Sequence, residues 1–263
     1  MSGSVPVTRS CHGDRRWRRS QTFEFARSLK LCGLVLAEIE PIALSFPMGF
    51  TLRHGRLFPV IILANADGES LYVGPKGQWL ANYLPALLRS YPFRIKRDEN
   101  EHFVLHVDEG SGLVVDTKED GELFFEGHEP SQAIKDIQAF LETLEVGRQQ
   151  TAEACSVLQR LGLLTDWPSS APEESDDFLH PAPFSDLLRI DQSVLSNLDA
   201  PSLHALHQSG GLRLAILQKL SERHLGLHKI LTEARKKRQT LSEQDAEEYL
   251  ENADEKLAFA WDD

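Results

Sequence analysis

The hydrophobic period of this chain changes once, close to Pro130, and that change limits the folds open to it. Beyond it, Ile134, Ile137, Phe140, Leu141 and Leu144 recur at spacings of three and four, which places them on one face of an α-helix. The stripe continues through Ala152, Cys155, Leu158 and Leu161, past Gly147, which either divides two helices or weakens a single one. Leu163, Leu164 and Trp167 close the segment. Ahead of Pro130, the runs Leu57 to Ala64, Phe103 to Val107, Gly112 to Asp116 and Glu122 to Glu126 are short and separated by Asp, Glu and Gly turns. The expected class is α+β: an antiparallel β-meander with a kinked aromatic anchor helix, followed by a mainly helical C-terminal half.

The anchor is the stretch from Gly77 to Phe93, dense in aromatic residues, proline and arginine. On a helix Trp79, Tyr83 and Leu87 share one face, and Pro85 imposes a kink before a second turn ending near Ser90. Arg89 falls beside that face, where a guanidinium can stack on Tyr83 or Trp79, or pair with a carboxylate. The stretch reads as a packing cornerstone or as a surface for an anionic or aromatic ligand. Upstream, Leu36, Ile39, Ala43 and Phe46 fit a helical stripe, within which Glu38 either faces solvent or pairs with Arg27 or Arg89. Leu57 to Ala64 and Leu71 to Val73, joined by turn residues, read as a hairpin.

Past Trp167, residues 168–183 are rich in Pro, Ser, Glu and Asp and read as a polar linker. Leu187 to Ile190 suits a short strand, and Asp199 with Pro201 opens a helix that Gly210 and Gly211 end. Leu212 to about Lys237 reads as one long helix with Ile216, Leu220, Leu227 and Leu231 on its apolar face. Ser242 and Asp245 open a final acidic helix ending in Phe259 and Trp261, which either dock back or present a tail to a partner. The expected organisation is a basic N-terminal arm at 1–20, an α+β core at 21–167, the linker at 168–183, a helical part of the same domain at 184–240 and an acidic tail at 241–263.

Charge narrows the function classes. A net charge of −12 over 263 residues argues against a nucleic-acid scaffold, since phosphate binding needs a basic face. Arg9, Arg15, Arg16, Arg18 and Arg19 make the start basic, and Trp17 among the last four suggests either a docking strip for an acidic partner or an arm folded over its own domain. Cys11, Cys32 and Cys155 show no Cys-x-x-Cys spacing, which points to a reducing compartment rather than a disulfide scaffold or zinc module. Arg18-Arg19 ahead of the apolar Leu31 to Ala37 imitates a twin-arginine signal, but Lys30, Glu38 and Glu40 bound that run tightly. No apolar run reaches roughly 18 residues, so no transmembrane segment and a cytoplasmic location are expected.

Catalytic patterns are scarce. His204 and His207, and His224 and His228, have spacings that place two imidazoles on one helix face, weak candidates for a four-histidine metal site. No matching carboxylate pattern accompanies them, so ordinary interface histidines are the better reading and no metal is assigned. No nucleophile elbow and no cofactor fingerprint is present, and no cofactor is expected.

The run Gly77, Trp79, Tyr83, Pro85, Arg89, Tyr91, Pro92 and Phe93 resembles the signature of the SapC family, bacterial proteins named after a surface-array-protein locus. His12 before an Arg-rich stretch, Phe25-Ala26-Arg27, Glu38, Phe46-Pro47 and Phe50 resemble the family's first half. Leu123-Phe124, Thr151, Leu163-Leu164, Asp191 and Leu195 resemble its later landmarks. The resemblance implies a non-enzymatic accessory protein linked to surface-layer or outer-membrane processes, with a protein partner and with Trp79, Tyr83, Arg89, Tyr91, His12 and Glu38 as candidate binding residues. Neighbouring genes in the family resemble flavin-dependent tryptophan halogenases, which implies as alternative an enzyme or enzyme partner acting on a small molecule or peptide. Arg89, Glu38 and His12 would then line one pocket.

Overall fold

The computed structural model describes residues 3–64, 68–116, 120–168, 186–237 and 240. Among these, eight helices can be followed in chain order: α1 (Arg9–His12), α2 (Ile39–Ala43), α3 (Ala86–Arg89), α4 (Gln132–Arg160), α5 (Gln192–Ser196), α6 (Ala200–Gln208), α7 (Gly211–Ser221) and α8 (224–237). Nearly all of the strands lie in the first half, and most of the described second half is helical, so the class is α+β as expected.

Strand pairing is antiparallel throughout, but it is interleaved. The largest sheet has five strands in the order Leu164–Asp166, Leu188–Ile190, Met48–Arg53, Arg56–Ile62 and Leu31–Gly33. At its centre, Met48–Arg53 and Arg56–Ile62 form a hairpin closed by His54 and Gly55, both at positive φ (49° and 73°), the geometry that matches the natural twist of two strands. The partners of Arg56–Ile62 are therefore Met48–Arg53 and Leu31–Gly33. Leu71–Val73 contributes no strand, only isolated bridges at Ala64–Ser70 and Val73–Trp79. A second sheet orders Ser4–Pro6, Phe103–Asp108 and Phe93–Arg97, and a third places Arg15–Trp17 between Val114–Asp116 and Glu122–Leu123. The strands expected at 103–126 thus take partners from the N-terminal residues: Ser4–Pro6 adds an edge to one sheet and Arg15–Trp17 the centre of another.

Helix α4 joins the two halves of the interior. Ser131 caps it, its hydroxyl accepting from Ile134 N–H at 3.3 Å. It runs unbroken for 29 residues past Gly147, whose missing side chain leaves Val35 in contact distance, 3.4 Å from where a Cβ would stand. Ile134, Leu141 and Leu144 pack with Trp17, Phe93 and Phe124 in one apolar cluster. Ala154, Cys155, Val157 and Leu158 pack with Phe46, Phe50 and Ile61 in the other. The N-terminal segment belongs to the first cluster: Trp17 is only 2% exposed and His12 is fully buried.

The helix expected from Leu212 to Lys237 is broken by a turn at Glu222 and Arg223. Three residues of its expected apolar face turn outward, Ile216, Leu220 and Leu227 being 47%, 57% and 43% exposed, while Leu231 packs on the large cluster. The side of α7 that meets the large sheet carries Leu214, Ala215, Gln218 and Ser221 instead. Gln218 Nε2 donates to the Met48 carbonyl at 3.1 Å and its Oε1 accepts from Ile190 N–H at 3.1 Å, while Ser221 Oγ accepts from Met48 N–H at 2.9 Å. Buried polar groups are retained here because each meets a backbone partner. The residues at 241–263, and nearly all of the linker at 168–183, lie outside the described residues.

Candidate functional site: an aromatic cleft beside Arg89

The anchor stretch forms a single helical turn, α3, which Pro85 precedes and thereby starts rather than kinks. Residues 79–84 carry no helix, because the Trp79 backbone bridges Val73 and Leu80 N–H bonds the Tyr72 carbonyl at 2.9 Å. Trp79 turns inward instead, its ring 5.6 Å from Phe23 and 6.0 Å from Tyr72, and its Nε1 donates to the Tyr83 carbonyl at 2.8 Å. Trp79 is therefore bound into the packing of the large cluster.

Tyr83 and Glu38 meet directly. The Tyr83 hydroxyl donates to Glu38 Oε2 at 3.0 Å, and Ala86 N–H, at the open end of α3, donates to the same oxygen at 2.9 Å. The 5% exposed Glu38 thus meets neither Arg27 nor Arg89; Arg27 pairs with Glu24 at 2.6 Å. Two neutral donors hold the carboxylate because it lies under a helix start, a relation that spacing in the sequence does not reveal. Glu38 Oε1 is buried without a hydrogen-bond partner among the described residues. Burial, then the Glu38 charge, pushes the Tyr83 phenol up to about 12, and the same two causes push the Cys32 thiol up to about 12.

Arg89 faces outward from this group, to which the Tyr83 ring joins it. Its guanidinium lies 6.0 Å from the Tyr83 ring centre and 5.4 Å from that of Phe140 on α4. It is exposed, and no carboxylate among the described residues comes within ion-pair distance. It stands at a cleft of about 670 Å³ walled by Trp17, Phe25, Tyr91, Phe93 and Phe140. Phe25 and Tyr91 stack nearly parallel, 3.9 Å apart, and mark the boundary with a second cleft of about 490 Å³. Arg19 also lines the first cleft, 3.5 Å from Glu122 and over the Trp17 ring. Glu122 and Asp136 line the same cleft, so the arrangement suits a planar or apolar group whose negative charge lies at the Arg89 end.

Of the residues singled out in the sequence, Trp79, Tyr83, Glu38 and Arg89 form one connected group, and Tyr91 stands beside it on the cleft. His12 does not join them. Its Nδ1 meets the Thr8 backbone at 3.3 Å, its Nε2 lies 3.3 Å from Glu109, and its ring leans on Phe124. Burial holds its pKa below the usual histidine value, and it lines neither cleft. His204 and His207 are exposed on α6. His224 Nε2 bonds the Ala43 carbonyl at 3.0 Å and His228 Nε2 the Tyr72 hydroxyl at 2.9 Å, so these two tie α8 to the core. Among the described residues no group of three or more His, Cys, Asp or Glu is placed to hold a metal ion. No helix of the described residues is long and apolar enough to cross a membrane.

Phe140 and Trp17 are not expected from the sequence to line this cleft, whereas Phe93 closes the anchor stretch, which is. Phe140 sits in the stripe that defines α4 and so reads as core, while Trp17 is recruited by strand pairing. Neither the curated proteins nor the solved structures contain a match to this chain. The family model described as SapC matches residues 7–227 of the 263-residue chain, and the protein belongs to the SapC family.

Proposed function

We propose that this SapC-family chain is a non-enzymatic accessory protein that captures a protein partner through the aromatic cleft at Arg89, in a surface-layer or outer-membrane-linked process. The observation that carries this reading is Arg89 itself, an exposed guanidinium set on Tyr83 and Phe140 at a mouth of aromatic rings, with no carboxylate pairing it within the described residues. Arginine held on aromatic faces at the edge of an apolar recess is a frequent feature of recognition surfaces. Affinity capture from the source organism with wild type and Arg89→Ala, after circular dichroism shows that both fold, tests it. A specific partner lost with Arg89→Ala and not restored by Arg89→Lys supports the reading; partners unchanged by Arg89→Ala overturn it.

A second reading is favoured by the cleft's size, which falls in the range of small-molecule sites. Here the chain is an enzyme or enzyme partner working with a halogenase-like flavoprotein on a small molecule or peptide. Arg89 would bind the substrate's anionic group, with Glu38 holding Tyr83 from beneath and His12 taking no part. Saturable quenching of tryptophan fluorescence by small aromatic acids, absent in Arg89→Ala, is the result that would favour it over partner capture.

A further inference from the structure

The second cleft is bounded by two sheet edges. The strand Phe93–Arg97 is the outer strand of the three-stranded sheet that contains Ser4–Pro6, and Leu31–Gly33 is the outer strand of the five-stranded sheet. Both line the same cavity of about 490 Å³, together with Leu141, Leu144 and the paired Glu145 and Arg148 of α4.

Hydrogen-bond parity shows which backbone groups are free to face it. Asp108 N–H donates to the Pro92 carbonyl at 3.0 Å, and on the other side of that strand Val7 N–H donates to the Leu105 carbonyl at 2.8 Å. With Arg94 opposite His106 and Ile95 opposite Leu105, antiparallel alternation turns the amides of Arg94 and Lys96 toward the neighbouring strand and those of Phe93, Ile95 and Arg97 away from it. Phe93 N–H is taken by the Ser90 carbonyl at 2.7 Å, whereas no described residue accepts from Ile95 N–H. On the facing edge, Leu63 N–H donates to the Lys30 carbonyl at 2.9 Å, and Cys32 stands opposite Ile61. The same parity turns the backbone groups of Leu31 and Gly33 outward.

Side-chain alternation adds a chemical preference. Phe93 is buried and Ile95 half-buried, while Arg94 and Lys96, on the opposite face of the strand, are exposed and have no ion-pair partner among the described residues. A strand laid against this edge puts alternate side chains beside Arg94 and Lys96, and the others beside Phe93 and Ile95.

We infer that the edge strand Phe93–Arg97 accepts an extended partner peptide by strand addition, and that this peptide alternates acidic and apolar residues. Main-chain hydrogen bonds to Ile95 supply affinity, and the basic edge and the apolar side of the cleft, formed by Phe93, Ile95, Leu141 and Leu144, select the sequence. The inference rests on the proposed role as a partner-binding protein and assigns the chemistry of the partner segment.

The test is fluorescence anisotropy on the full chain with a dye-labelled octapeptide that alternates glutamate and valine. A second octapeptide carries lysine for glutamate, and a third is the acidic peptide with alternate amides N-methylated. Strand addition predicts that the acidic peptide binds at least tenfold tighter than the lysine peptide. It also predicts at least tenfold loss on N-methylation of the bonding amides, and a reversed charge preference in the Arg94→Glu/Lys96→Glu variant. The N-methylated peptide leaves the protein intact, so the result does not depend on how a variant folds. Equal affinity of methylated and unmethylated peptides, or no binding of the acidic peptide, overturns the inference. If that happens while Arg89→Ala still abolishes partner capture, binding at the aromatic cleft stands and only strand addition falls.

Discussion

The Tyr83 hydroxyl reaches Glu38, a residue 45 positions earlier in the chain, and shares the carboxylate oxygen with the first amide of α3. One buried charge thereby sets the floor on which Arg89 is presented. Replacing Glu38 by Ala leaves both donors without an acceptor and is expected to cost about 2–4 kcal/mol, whereas Tyr83→Phe removes a single bond and is expected to cost about 1 kcal/mol. Urea unfolding of the two variants, followed by circular dichroism, measures the difference; equal effects would mean that the shared oxygen does not organise the turn.

Thr151 performs a similar task on α4. Its 3% exposed side chain accepts from Leu36 N–H at 2.9 Å and donates to the Gly147 carbonyl at 2.6 Å. Thr151→Val keeps the shape and orphans the Leu36 amide. A loss of about 1–3 kcal/mol is expected in chemical denaturation, with Thr151→Ser losing less.

His228 makes stability depend on pH. Burial, then the neighbouring His224, lowers its pKa from 6.5 to about 4. A base whose folded pKa is depressed contributes stability above its unfolded pKa and loses it as pH falls toward the folded value, here from 6.5 down to about 4. The full loss corresponds to about 3 kcal/mol. Burial also holds His12, His106 and His224 low, so they add to the decline. Urea midpoints measured from pH 7.5 to 4 should fall more steeply in wild type than in His228→Gln.

Gly77 holds the loop that backs the cleft. Its φ is +76°, its carbonyl accepts from Phe23 N–H at 2.6 Å, and an added Cβ would stand 2.8 Å from Thr22 Cβ. Gly77→Ala is expected to cost about 2 kcal/mol in thermal unfolding, because it meets both left-handed backbone strain and a side-chain contact too short to keep.

Much of the local structure was legible. The three-and-four spacing gave α4, Asp199 caps α6 through a 2.9 Å bond from Ser202 N–H, and Gly210 takes the left-handed conformation, φ 78°, at the turn into α7. The site was legible only in part. Arg89 stands out as an arginine among aromatics, while its cleft does not, since Phe140 lies 123 positions after Trp17 and 115 after Phe25 and meets them only when the sheets assemble. The orientation of α7 was misread because apolar periodicity marks Ile216 and Leu220, while the buried side depends on Gln218 and Ser221 finding the backbone of Met48 and Ile190.

Local sequence suffices for the α+β class, the long helix, the Asp199 cap and Gly210 end of α6, and the resemblance that the family match bears out. These follow from local rules, in which a residue's neighbours within about four positions decide backbone geometry. Only the folded chain settles which strands pair, that Trp17 and His12 are interior, which donors meet Glu38, and where two sheet edges flank one cleft. Each of these depends on contacts between distant segments, and the free energy of such contacts comes from burial and hydrogen-bond completion that no local pattern encodes.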